Sequence, residues 1–282
     1  MSRESCDGVD LNLTRGEQRN DQRGDQCSDQ RGDQRGDQDP AIVSKITYKG
    51  IRADVLEDVY EPAEDTFLLA DCAVDAVSLL FPPEFSKSGV FFVRGLEIGC
   101  GSGFVSQFIQ SKAPPVHMVG VDINPNAVLC SRRNGVRAYY SDMFDIFERN
   151  QSVPSSASSL PDDSSLPPVP PLPDDLPALP AEGFDFILFN PPYLPTAADE
   201  RVAGYLNYAF DGGIFGRDSI DRFLGEVGDY LSDAGFFLLL ISSLTGLPEV
   251  TDEMRKNGFS AEVLGRTKVS FEELFVLKGK RL

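Results

Sequence analysis

From Glu64 onward apolar residues fall at Phe67, Leu68, Cys72, Ala76, Leu79 and Leu80, and Asp65 and Thr66 suit a first turn, so the spacing predicts an amphipathic helix. A β-rich run over 90–98 then predicts a strand, followed by a glycine turn and a helix over about 104–112. A second apolar run, 116–121, ends at Asp122, after which Asn124 reads as an N-cap and Pro125 as the first helical residue. Strand, turn, helix, strand, helix is the order of a parallel sheet. A third short strand, 136–140, ends in Ser141 and Asp142. A fourth, 184–189, stops at Asn190 because Pro191 and Pro192 cannot continue a ladder. After a long loop to about Gly216 the pattern predicts a helix through Leu231, a buried strand over 235–242 and a helix over about 248–257. Two last strands, near 261–264 and 271–277, are joined by a short polar turn and so pair antiparallel.

Two stretches of the 282 residues stand apart from this pattern. Residues 1–40 contain a four-residue Asp-Gln-Arg-Gly repeat from about Asp21, too poor in apolar side chains to order itself, and read as a disordered tail. Residues 151–182 hold nine of the 20 prolines and seven serines and read as a flexible insert. What is left, 41–282 without the insert, has the size of one α/β domain. The insert precedes the fourth strand. Ligands of doubly wound sheets lie beyond the carboxyl ends of the strands, so the insert is expected on the face away from the chemistry.

Charge and cysteine content narrow the function. The net charge is −18, and the part outside tail and insert is still acidic, so unaided grip on a phosphate backbone is a poor expectation. Five cysteines without a C-x-x-C pair suit neither a disulfide framework nor a zinc site, and no metal is expected. No run is long enough to span a bilayer, and the polar N-terminus lacks a signal-type apolar stretch, so the expected location is the cytosol or the nucleus. His117 is the single histidine and sits inside a strand pattern, which argues against a Ser-His-Asp triad.

Three strand ends carry the chemistry. Glu97-Ile98-Gly99-Cys100-Gly101-Ser102-Gly103 lies between strand and helix, where glycines let the backbone approach a ligand and leave helix N–H groups aimed at it. Its E-x-G-x-G-x-G spacing differs from the G-x-G-x-x-G of dinucleotide sites and matches S-adenosylmethionine-dependent methyltransferases. Asp122 ends the next strand. It is either an acceptor for two ribose hydroxyls or an acid placed for the dipole of the following helix. Asp142 ends the third, either accepting from an adenine amino group, with the Met143 N–H on a ring nitrogen, or as a solvated loop aspartate. At the fourth, Asn190-Pro191-Pro192-Tyr193 suits a planar amide or amine: the Asn190 side-chain oxygen and the Pro191 carbonyl hold both N–H protons, and Tyr193 stacks on the plane. The other reading is a proline-terminated strand with an incidental aromatic.

These pieces, with Asp58 to Leu69 (DVYEPAEDTFLL) and Asp211 to Asp218 (DGGIFGRD), resemble the HemK-type protein N5-glutamine methyltransferases, in particular the eukaryotic and archaeal branch acting on class 1 translation release factors. The likeness covers about residues 45–278; Y-E-P-A-E-D-T is its most diagnostic stretch, whereas N-P-P-Y is shared with adenine and cytosine amino methyltransferases. The resemblance implies a class I S-adenosylmethionine-dependent methyltransferase fold, a Rossmann-like α/β seven-stranded sheet of order 3-2-1-4-5-7-6 with strand 7 antiparallel. It implies cofactor contacts from Thr66, Glu97, Gly99, Gly101, Asp122, Ile123, Asp142, Met143 and Asn190, and a substrate glutamine held by Asn190, Pro191, Pro192 and Tyr193. It also implies a release-factor substrate bound to its GTPase, and a small zinc-binding activator subunit added to the edge strand near Val136, Tyr139 and Tyr140. The repeat tail, the insert and Ile241-Ser242-Ser243-Leu244 depart from the family pattern. Three other readings are an adenine-N6 nucleic-acid methyltransferase, a protein-lysine methyltransferase, and a silent binding subunit. The acidic charge opposes the first, and the intact Asp122, Asp142 and Asn190 oppose the last.

Overall fold

The central strands are apolar on both faces, and this decides the layering. In a computed structural model the described residues are 40–80, 92–113, 115–149, 177, 179–193, 212–213 and 216–282; the tail, most of the insert and the loop 194–211 lie outside them. A hairpin, β1 (Ile42–Tyr48) and β2 (Ile51–Leu56), precedes α1 (Glu64–Ser78). Then follow β3 (Val93–Ile98), α2 (Phe104–Lys112), β4 (Val116–Asp122), α3 (Pro125–Arg133), β5 (Arg137–Tyr140) and a short α4 (Asp145–Arg149). The chain ends with β6 (Phe184–Phe189), α5 (Asp218–Glu226), β7 (Leu231–Ser242), α6 (Leu247–Lys256), β8 (Glu262–Lys268) and β9 (Glu273–Gly279).

Seven strands form one sheet in the order β5-β4-β3-β6-β7-β9-β8. The first five are parallel, and β9 runs antiparallel to both β7 and β8. Counted from β3 this is 3-2-1-4-5-7-6, the class I methyltransferase order. Along β7, Phe236, Leu238 and Leu240 join one core, and Phe237, Leu239 and Ile241 join the other. The period of two thus places a continuous apolar run against helices on both sides. The first core takes α1, α2, part of α3 and the hairpin; the second takes α4, α5 and α6, with Ile220, Phe223 and Leu224 of α5 at helical spacing.

The structure adjusts several sequence readings. Of the strand expected over 90–98, residues 90 and 91 lie outside the described residues and β3 runs from Val93; the helix after Gly216 is α5 followed by a 3-10 turn over Val227–Tyr230, so β7 starts at Leu231. The last two strands run further, as β8 and β9. The β1–β2 hairpin and α4 have no counterpart in the reading above. Of the insert, Leu179 packs against the second core, and the Gly183 N–H donates to the Pro180 carbonyl at 2.8 Å. Strand β5 is the outer strand, as expected, but Tyr139 and Tyr140 are 3% and 8% exposed, packed into this chain's own interior. An added strand at this edge would therefore meet mainly backbone rather than these two rings. Among the described residues no helix is long and apolar enough to cross a membrane.

Candidate active site

A parallel sheet directs its strand ends, and the turns that follow, to one edge, and there the structure holds a cavity of about 600 Å³. Thr66, Glu97, Gly99, Gly101, Asp122, Ile123, Asp142, Met143, Asn190, Pro191, Pro192 and Tyr193, every residue picked out from sequence, line it together.

The glycine turn after β3 carries positive φ at Gly99 (64°), Gly101 (52°) and Gly103 (76°), which side chains with a Cβ rarely adopt. A Cβ on Gly101 would meet no atom within 4 Å, so the space above it is open to a ligand. One on Gly103 would lie 2.8 Å from Ser131 Oγ, where α3 crosses close. Buried Glu97 accepts from the Ser106 N–H at 3.1 Å and from the Ser106 hydroxyl, tying the end of β3 to the first turn of α2. Burial pushes the Glu97 carboxyl up to about 8, and the Ser106 donors oppose that rise.

Asp122 spans two turns. Its Oδ2 accepts from the Gly101 N–H and its Oδ1 from the Asn124 N–H, both at 2.8 Å. Burial again dominates, pushing this carboxyl up to about 6 against the pull of the backbone donors. A carboxylate has about four acceptor sites, so capacity remains for hydroxyl donors. At the next strand end the Ser141 hydroxyl donates to the Met143 carbonyl at 3.0 Å and accepts from the Ile146 N–H at 3.1 Å, and Met143 sits at φ 45°.

At the end of β6 the Asn190 Nδ2 donates to Asp65 Oδ2 at 2.9 Å, while Asn190 Oδ1 is buried and has no hydrogen-bond partner. Asp65, 3% exposed, also accepts from the Tyr60 hydroxyl at 3.0 Å, the Thr66 N–H at 2.6 Å and the Thr66 hydroxyl at 3.1 Å; the Tyr193 hydroxyl lies at 3.5 Å. Burial first, and then the Asp65 charge, push both tyrosine hydroxyls far up, so they stay protonated as donors. Gly212 and Gly216 sit against the Pro192 and Tyr193 carbonyls so closely that a Cβ at either would collide with that backbone. This places Gly212 and Gly216 beside N-P-P-Y.

Sequence reasoning passed over Asp65, Tyr60, Arg222 and Glu272, which line the same cavity. Asp65 lay within Y-E-P-A-E-D-T but read as a first-turn acid. Nothing local marks Arg222 or Glu272.

Residues 68–158 match the family model described as methyltransferase small domain. The chain is 32% identical over 226 residues to the HEMK2 methyltransferase of Homo sapiens, covering 78% of this chain and 89% of that one. It is 36% identical over 243 residues to a Methanocaldococcus jannaschii protein named as a protein N5-glutamine methyltransferase, covering 84% and 99%. The chain belongs to the HemK-type protein N5-glutamine methyltransferases. Another member, the eRF1 methyltransferase catalytic subunit mtq2 of Schizosaccharomyces pombe, is 30% identical over 241 residues, covering 82% and 93%. Among solved structures, the Mtq2 of the E. cuniculi Mtq2–Trm112 complex shares the fold, with TM-score 0.50 at 22% identity over 80% of this chain and 99% of that one. So does the T. thermophilus 16S rRNA N2 G1207 methyltransferase in complex with AdoMet and guanosine, with TM-score 0.52 at 16% identity over 86% and 52%.

HemK-type methyltransferases use S-adenosyl-L-methionine, and the residues here fit it. Gly101, with open space above it, Asp122, with spare acceptor capacity, and Asn190, whose buried Oδ1 has no partner among the described residues, all line one cavity, within the size range of small-molecule sites.

Proposed function

We propose that this enzyme methylates the side-chain nitrogen of the glutamine in the Gly-Gly-Gln loop of a class 1 translation release factor, presented with its GTPase. The observation that carries this reading is the buried, unpartnered Asn190 Oδ1, whose direction is fixed because its own nitrogen donates to Asp65. An amide nitrogen is a weak nucleophile, its lone pair shared with the carbonyl. Asn190 Oδ1 and the Pro191 carbonyl accept its two protons, hold the lone pair in line and favour the positive charge that grows on nitrogen as the new bond forms. Tyr193 covers the amide plane. S-adenosyl-L-methionine, when bound, supplies an electrophilic methyl group. Asp122 would hold its ribose hydroxyls, Asp142 and the Met143 N–H its adenine, and Thr66, Glu97, Gly99, Gly101, Ile123 and Asn190 the remainder. The methyl–sulfur bond would break as the methyl–nitrogen bond forms, leaving S-adenosylhomocysteine, and the proton would pass from nitrogen to water with or after attack, so no strong base is required.

The unit that does this is 41–282, with the tail 1–40 and the insert 151–182 as appendages outside the chemistry. A small zinc-binding activator subunit joins at the outer edge of β5, through backbone pairing. The naming of the S. pombe relative as a catalytic subunit and the paired E. cuniculi structure support this. The location that goes with this reading is the cytoplasm, with the nucleus as the alternative.

The test is to incubate the chain, with and without such a subunit, with methyl-labelled cofactor and either release factor bound to its GTPase or DNA. Label on the factor's glutamine is the expected result. Label on DNA alone, or on a lysine, would replace the reading.

A further inference from the structure

The Asp142 carboxylate is held by one described side chain. Arg222 Nη1, from α5, donates to Asp142 Oδ1 at 2.6 Å. The other guanidinium nitrogens are also engaged: Nε with Glu226 Oε1 at 2.9 Å and Nη2 with Asp145 Oδ1 at 3.4 Å. One planar fork thus meets three carboxylates, each on its own nitrogen, a geometry an ammonium cannot reproduce. The backbone at Asp142 is fixed independently, by the Ser141 hydroxyl bonds and by the Asp145 N–H donating to the Asp142 carbonyl at 3.1 Å. What Arg222 adds is the direction of the Asp142 side chain.

That contribution is not chiefly to stability. Asp142 and Arg222 side chains are 47% and 37% exposed, and ion pairs so exposed add little to stability. Yet both residues line the cavity. With Arg222 on Oδ1, Oδ2 is the carboxylate oxygen that keeps its full acceptor capacity among the described residues.

We propose that Arg222 is the positioning residue that sets the purine selectivity of the cofactor site, turning Asp142 so that Oδ2 accepts from a 6-amino purine and repels a 6-oxo one. This rests on the reading of Asp142 as the adenine acceptor, and the test separates the two. Binding of S-adenosylhomocysteine and of its 6-oxo analogue, S-inosylhomocysteine, is measured by calorimetry on the full chain. The variants are Arg222→Ala, Arg222→Lys, Asp142→Ala and the Asp142→Ala/Arg222→Ala pair, with melting temperature followed throughout.

Arg222→Ala and Arg222→Lys are each expected to cut the preference for the adenosyl compound about tenfold, the size of a lost charge-assisted contact, with little change in melting. In the Asp142→Ala background, removing Arg222 should change the preference no further, because the two act through one acceptor. Should Asp142→Ala lower the preference while both Arg222 variants keep it, the proposal fails and the adenine reading stands. Additive losses in the double variant would assign Arg222 to another contact and also overturn it. An unchanged preference in Asp142→Ala would remove the adenine reading and this proposal with it. Arg222→Lys keeps the charge, so the test survives if Arg222→Ala does not fold.

Discussion

Asn190 Nδ2 and Asp65 Oδ2 lie 2.9 Å apart, and this contact decides which end of the asparagine amide is left without a partner. A carboxylate can only accept, so the asparagine must turn its nitrogen toward Asp65, and its oxygen is the end left to receive the N–H protons of the proposed substrate amide. An asparagine at position 65 could donate instead and let Asn190 turn over, presenting N–H groups where N–H protons must be received. Asp65→Asn is therefore expected to lower methyl transfer by about 100-fold or more. Affinity for S-adenosylhomocysteine should change far less. A variant that loses both in equal measure would assign Asp65 to cofactor binding rather than to orienting Asn190.

The glycine turn separates ligand space from packing. At Gly101 an added methyl group would enter open cavity at φ 52°, so Gly101→Ala pays about 1–2 kcal/mol of backbone strain and also occludes the ligand. At Gly103 the same methyl group would sit 3.0 Å from Ser131 Cα, backbone that cannot swing aside. Gly103→Ala is expected to lose about 3 kcal/mol or more of stability. Melting curves and calorimetry on the two variants should show that Gly101→Ala melts closer to the parent but binds cofactor much more weakly. Equal binding by Gly101→Ala and the parent would place the cofactor elsewhere.

Legibility from sequence followed the range of the interactions. Asp122, Asp142 and Asn190 were readable because a strand, its terminator and the next residues are local, and a parallel sheet then brings all its strand ends to one edge. The hairpin was within reach of the same rules. Alternation along Ile42–Tyr48 and Ile51–Leu56 flanks Lys49 and Gly50, both at positive φ (46° and 85°), the conformation of a two-residue hairpin turn. Lys is not a usual first residue there, and the outer face of β1 is exposed, which weakened the signal. Asp65 and Arg222 were not readable, because their partners Asn190 and Asp142 lie 125 and 80 residues away. The buried tyrosines of β5 show the converse limit: a pattern identifies an edge strand but not which of its side chains the chain itself covers.

The subunit proposed at that edge would meet backbone rather than the buried rings of Tyr139 and Tyr140. Charging either ring would unfold the protein, since both are under 9% exposed, and loss of binding would then say nothing about the interface. Hydrogen exchange reads the backbone directly. Adding the small zinc-binding subunit is expected to slow exchange of amides in β5 while leaving β8, the opposite edge, unchanged. Slowing at β8 instead would move the docking edge across the sheet.

Glu97 and Asp122 give the ligand-free enzyme an unusual pH dependence. Both carboxyls are raised by burial, to about 8 and about 6, above the ordinary values of 4.5 and 3.8. In the folded chain each holds its proton where the unfolded chain has released it. Their stabilising contribution is complete below about pH 4 and is lost as pH rises, for Asp122 up to about 6 and for Glu97 up to about 8. The Glu97 part falls by about 1.4 kcal/mol per pH unit within its window. The ligand-free protein should melt at a lower temperature at pH 8 than at pH 6, and Glu97→Gln, which keeps an acceptor for Ser106 and cannot ionise, should flatten that slope. Cofactor binding runs the other way, because Asp122 must be ionised to accept two hydroxyl protons with full strength. Affinity for S-adenosylhomocysteine should fall as pH drops through about 6 and should lose that step in Asp122→Asn. A melting temperature that rises from pH 6 to pH 8 in the parent but not in Glu97→Gln would reverse the sign assigned to Glu97.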